Sequence, residues 1–144
     1  MHNNGYKLVF KPHPNLQKYI HLLEIPKEVI NGTSIPYDKL FRESSLLITD
    51  YSSVSFDFAY LKKPIIYYQY YEQFNFDTKK SYFNYEKMGF GEIIKTEDLL
   101  IETIRKYLEN NCLMKSKYKE RVEKFYKFSD NNNCQRNYDW IKNN

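Results

Sequence analysis

The stretch from Leu46 to Tyr68 leaves this chain few folds to choose from. Leu46-Leu47-Ile48-Thr49 is a compact apolar run of the kind found in strands buried on both faces. Val54, Phe58 and Leu61 then recur at i, i+4 and i+7 with Ala59 beside them, which predicts a helix that closes at Lys62-Lys63-Pro64. Ile65-Ile66-Tyr67-Tyr68 is a second buried strand. Strand, helix and strand within about 25 residues make a βαβ unit, whose two strands run parallel. The fold class is therefore α/β, a Rossmann-like parallel sheet flanked by helices.

The flanking segments extend that pattern. Tyr6 to Phe10 reads as a short buried strand, stopped by Lys11-Pro12-His13-Pro14, and Leu16, Tyr19, Ile20 and Leu23 follow at helical spacing. After a break at Ser34 to Pro36, Asp38 is placed to cap a helix through Leu40 and Phe41. Gln69 to Gly89 lacks a clear period and reads as a long loop with one irregular turn, after which Gly91 to Ile94 returns to the sheet. Thr96, Glu97 and Asp98 open a helix running to about Asn110, and two more helices, about 115–128 and 132–142, complete the chain. A length of 144 residues suits one such domain, 1–144, with its C-terminal helices in about 96–142.

Composition narrows the function classes. Aromatics reach 18% and Tyr alone occurs 15 times, so ring packing replaces some of the usual Leu and Val in the core. Cys112 and Cys134 are far apart and lack CxxC or Cys/His spacing, which speaks against a zinc site or a disulfide framework. No run approaches the roughly 18 apolar residues of a membrane span, and a signal-peptide core is missing, so the sequence reads as soluble and cytoplasmic. Formal charge is only +4, but eight basic and three acidic residues crowd Arg105 to Lys127. That stretch is either a solvated face or a surface for anionic lipid; with no recognition motif beside it, nucleic acid is not expected as a partner.

Ligands of open parallel sheets bind beyond the carboxyl ends of the strands. Two polar signatures take that place and are expected on one edge: Lys11-Pro12-His13-Pro14 after the first strand, and Thr49-Asp50-Tyr51-Ser52-Ser53 after the strand that ends at Thr49. Ser52 and Ser53 stand just ahead of a helix, where hydroxyls and the first backbone N–H groups can meet a phosphate; one of them acting only as an N-cap explains the serines equally well. His13 is held between two prolines and can hydrogen-bond a diphosphate, carry a charge or act as acid or base, and Lys11 can add a point charge. Asp50 suits either a ligand hydroxyl or a turn cap. The chain has no GxGxxG, no Walker sequence and no Asp-x-Asp metal pair, which speaks against classical dinucleotide binding and ATP hydrolysis.

With both signatures placed, the sequence resembles the C-terminal part of the CDP-glycerol glycerophosphotransferases, which polymerise teichoic acids and capsules in bacteria. The match is carried by Phe10-Lys11-Pro12-His13-Pro14 and by the run from Leu47 to Phe58, continuing through Leu61-Lys62-Lys63-Pro64-Ile65-Ile66-Tyr67. The resemblance implies the C-terminal half of a GT-B glycosyltransferase, with Ser52 and Ser53 gripping the donor phosphate and His13 as the diphosphate contact or acid/base; Lys11 is a further candidate for the phosphate, and Asp50 and Thr49 for other donor contacts. It also implies a CDP-activated glycerol or ribitol phosphate as donor, a lipid-linked polymer as acceptor and CMP as product. The same resemblance implies no metal and no cofactor, and a cytoplasmic protein that can sit peripherally at the inner face of the membrane.

Lys79-Lys80-Ser81-Tyr82-Phe83-Asn84 stands where the family usually has Arg-Gly-x-Tyr-x-Asp, which points to a capsule-type branch with an altered polyol phosphate or a sugar phosphate. The family's N-terminal domain, with a second histidine as base, has no counterpart in this sequence. Two readings follow: a donor-binding half that is inactive without that domain or a partner chain supplying it, and a non-catalytic module that binds a nucleotide or docks to a partner.

Overall fold

A computed structural model describes residues 5–71 and 82–144. They fall into two compact units, 1–44 and 45–144.

In the first unit two short strands, β1 (Val9–Phe10) and β2 (Ile30–Asn31), pair in parallel, Val9 opposite Ile30. Gly32 continues the ladder, its N–H donating to Phe10 O at 2.8 Å. Between the strands, the short helix expected from the spacing is a 3-10 helix, Pro14–Leu22, with His13 at its N-cap. Helix α1 (Tyr37–Glu43) begins one residue earlier than its expected cap: Pro36 holds the N-cap, and Asp38 sits in the first turn, paired with Arg42 at 3.2 Å. An acid in the first turn still favours the helix electrostatically, so the residue type was meaningful although its role was not capping.

The second unit carries the predicted βαβ run. Strands β3 (Leu47–Thr49), β4 (Ile65–Tyr68) and β5 (Gly91–Ile94) form a parallel sheet in the order β3-β4-β5. Helix α2 (Val54–Tyr60) joins the first two strands and buries Ser55, Phe58 and Ala59. On the opposite face, Ile66 and Ile94 pack on Ile104 and Tyr107 of α4 (Glu97–Glu109), with Ile48, Tyr68 and Leu100 around them. Ile65, Ile66 and Tyr67 are fully buried, and each such aliphatic side chain contributes about 1.5–3 kcal/mol relative to exposure. The sheet is thus covered on both faces, as continuous apolar strands require.

Aromatic rings make up much of the α2-side core. Phe56 stacks at 4.7 Å from Phe83, and Phe90 lies 5.3 Å from Phe125 of α5 (Ser116–Phe125). Two polar ties hold α5 in place: Tyr126 donates its hydroxyl to Phe56 O at 2.8 Å, and Arg121 donates to Gly89 O at 2.7 Å and Glu86 O at 3.0 Å. The four-residue helix α3 (Tyr85–Met88), capped by Asn84, stands inside the segment expected to be a loop. Gly91 is required by close approach, since a Cβ there would lie 1.9 Å from Ile65 O. Helix α6 (Asn133–Asn143) is exposed along its length except at Arg136, whose guanidinium sits 3.8 Å over Phe128.

Candidate functional site

The turn from β3 into α2 is built from short-range bonds. Ser55 donates its backbone N–H to Ser52 O at 3.3 Å and its buried hydroxyl to the same oxygen at 2.9 Å. Phe56 N–H reaches Ser53 O at 3.0 Å, and Val54 N–H makes a long bond of 3.4 Å to Ser52 Oγ. The helical N–H groups that could have faced an anion are therefore partly committed inside the turn. Ser53, in helical conformation at the N-cap, makes no side-chain cap bond and is exposed. Its hydroxyl, together with the N–H groups of Ser52 and Ser53, finds no partner among the described residues. Capping alone thus accounts for Ser52 and not for Ser53.

Around this turn stands a set of tyrosines that pattern reading did not single out. Tyr71 donates its hydroxyl to Asp50 Oδ2 at 3.1 Å, and Tyr51 donates to Tyr71 O at 3.3 Å. Tyr85 packs edge-on to Tyr51 at 5.7 Å and to Tyr67 at 5.0 Å. Burial pushes the Tyr85 phenol up to about 12, helped by Tyr67 and by the nearby Asp50 carboxylate, so this wall is neutral at physiological pH. Tyr71 and Tyr85 lie in a segment without periodicity, and only the excess of aromatics pointed toward them.

Thr49, Asp50, Ser52 and Ser53 are therefore brought together, while Lys11 and His13 belong to the first unit. Lys11 spends its ammonium on Thr33 O at 2.9 Å and Ile35 O at 2.7 Å and lies 5.0 Å over the Tyr37 ring, so it fastens the loop after β2. His13 is exposed and accepts the Asn15 N–H on Nδ1 at 3.2 Å. In the neutral ring that bond leaves the proton on Nε2, which is then a donor. Lys79, Lys80 and Ser81 lie outside the described residues.

Elsewhere, the basic stretch is partly committed. Lys115 pairs with Glu92, and Arg121 is tied to the backbone carbonyls of α3 and its exit, while Lys117, Lys119, Lys124 and Lys127 remain exposed. A cavity of about 400 Å³ lies beside Asp57 and Tyr60, toward the far end of α2 from the turn. Among the described residues no helix is long and apolar enough to cross a membrane, and no three His, Cys, Asp or Glu side chains are grouped to hold a metal ion.

Several known proteins are similar in sequence to this chain. The chain is 42% identical over 139 residues to the minor teichoic acid biosynthesis protein GgaB of Bacillus subtilis (strain 168), covering 96% of this chain and 15% of that protein. It is 40% identical over 106 residues to the teichoic acid poly(glycerol phosphate) polymerase of Bacillus spizizenii, covering 72% of this chain and 27% of that one. With the teichoic acid ribitol-phosphate polymerase TarL of Staphylococcus aureus it shares 27% over 140 residues, 92% of this chain and 23% of the relative. The chain thus spans less than a third of the length of each of these proteins. No solved structure matches it. Residues 1–143 match the family described as CDP-Glycerol:Poly(glycerophosphate) glycerophosphotransferase, and the chain belongs to that family of polyol-phosphate transferases.

Proposed function

We propose that this chain is the donor-binding part of a polyol-phosphate transferase that builds teichoic-acid or capsule-type polymers from a CDP-activated glycerol or ribitol phosphate. One observation carries the reading: the turn at the carboxyl end of β3 leaves the exposed Ser53 hydroxyl and the amides of Ser52 and Ser53 without partners among the described residues. Three such donors suit phosphate oxygens. Because α2 has only seven residues, its dipole is a minor contribution and direct hydrogen bonds do most of the holding.

In this reading the site orients the donor so that an acceptor hydroxyl attacks the phosphorus bearing the polyol. The bond to the bridging oxygen breaks and CMP leaves, its developing charge met by hydrogen-bond donors. Asp50 accepts from a donor hydroxyl in place of Tyr71, and the exposed His13 Nε2–H is a diphosphate contact. Thr49 sets the end of the strand from which the turn departs. The acceptor is a lipid-linked polymer, which places the protein at the inner membrane face, with the exposed lysines of α5 as the surface for anionic lipid.

Calorimetric titration of the 144-residue chain tests the donor reading. CDP and CDP-glycerol are expected to bind more tightly than ADP or inorganic phosphate. Equal affinity across all four ligands would remove the ground for a cytidine donor site.

A further inference from the structure

Gln69 is 8% exposed, and its side-chain nitrogen Nε2 has no hydrogen-bond partner among the described residues. Two N–H donors taken out of water without an acceptor lower stability, and native proteins seldom keep such a group without a use. The sheet defines where this amide stands. Gln69 N–H carries the β4–β5 pairing one step further, donating to Ile94 O at 2.8 Å. Thr49 is opposite Tyr67 in the β3–β4 register. Side chains alternate along a strand, so Thr49, Tyr67 and Gln69 share one face, with Gln69 two residues beyond the pair toward the carboxyl edge.

That face is the one opposite the Ile48, Ile66 and Ile94 cluster under α4, and it is therefore the α2 side of the sheet. Gln69 is level there with the Asp50–Ser53 turn. Tyr67, Tyr85 and Tyr51 form an aromatic wall in the same region. A neutral aromatic wall suits an uncharged part of a ligand with an oxygen acceptor.

We infer that Gln69 is a specificity-determining residue of the donor site, its side-chain amide donating a hydrogen bond to a neutral carbonyl or hydroxyl oxygen of the bound nucleotide-activated donor. This rests on reading the turn as the donor site, with the phosphates at the serines and the uncharged part of the ligand at Gln69. A ligand lacking that oxygen leaves the amide unpaired in a dry place, which is how a buried polar group discriminates.

Gln69→Met keeps the volume and removes the donor; Gln69→Glu keeps the shape and reverses the polarity. Ligand-free Gln69→Met protein is expected to melt no lower than the wild type, because the unpaired amide is gone, yet to bind CDP at least tenfold more weakly. Gln69→Glu should bind more weakly still. A loss confined to CDP-glycerol, with CDP unaffected, would assign the oxygen to the polyol and supports the inference equally. Wild-type binding with undiminished affinity of Gln69→Met for both ligands overturns the role of Gln69 and leaves the donor site standing, whereas wild-type protein that binds neither ligand overturns both. Should Gln69→Met fail to fold, the side-chain amide resonance of wild-type Gln69 decides: it shifts on addition of CDP or CDP-glycerol, or the inference fails.

Discussion

At the scale of single residues, several side chains proposed to contact the donor also hold the backbone. His13 is the clearest case, since Nδ1 caps the 3-10 helix while Nε2 stays exposed. The two roles can be separated, because an Asn side-chain oxygen replaces Nδ1 as a cap acceptor and brings nothing equivalent to Nε2–H. His13→Asn is therefore expected to leave the denaturation midpoint nearly unchanged and to weaken CDP binding about 10-fold or more, the range of one hydrogen bond to a charged group. A variant that unfolds more easily and binds CDP as before would restrict His13 to capping. Lys11 shows the reverse balance: with its ammonium on two loop carbonyls, structural work comes before any ligand. Its residue type made it look like a phosphate contact, and its partners were invisible until the loop after β2 was placed. Gln69 was missed for a related reason. A polar residue after an apolar run reads as the start of a loop, whereas its N–H continues the pairing to Ile94 and the residue is buried.

At the scale of elements, legibility followed length and periodicity. The β3-α2-β4 unit could be read because each strand is a continuous apolar run and α2 repeats its apolar residues at helical spacing. Strand β2 could not: it is two exposed residues whose only sign of strand character is the pairing with β1. Helix α3 escaped because four residues hold too little of a helical period to detect. Strand β5 was anticipated, although its glycine gave no hint of why it is there. Gly91 lies against the backbone of β4, and any Cβ would collide with Ile65 O. A backbone carbonyl in a ladder has nowhere to retreat, so Gly91→Ala must pry β5 from β4. We expect a loss of at least about 2 kcal/mol in denaturant unfolding, the scale of overpacking in a close-packed interior. An unchanged midpoint would mean that the strands are not so closely apposed.

At the scale of the whole molecule, the tyrosine-rich composition becomes a property of stability. Tyr85, Tyr118 and Tyr126 are each pushed up to about 12, in every case first by burial, and Tyr67 and Tyr107 are raised for the same leading reason. In the unfolded chain a phenol ionises near pH 10. Below that pH both states keep these protons and the contribution to stability is fully present. Between about 10 and 12 the unfolded chain releases protons that the folded protein retains, so stability falls as pH rises through this window. Nothing in these five phenols changes between pH 6 and 9. The denaturation midpoint is therefore expected to show no tyrosine-linked change up to about pH 9.5 and then to drop steeply, while tyrosinate absorbance in the folded protein lags behind that of the denatured chain. Free titration of all tyrosines near pH 10, with no accompanying loss of stability, would contradict the packing described for Tyr67, Tyr85 and Tyr107. Because Tyr85 and Tyr67 also wall the turn beside Asp50, the same alkaline window should abolish CDP binding. Binding lost at a lower pH than folding would locate the first ionisation at the site itself.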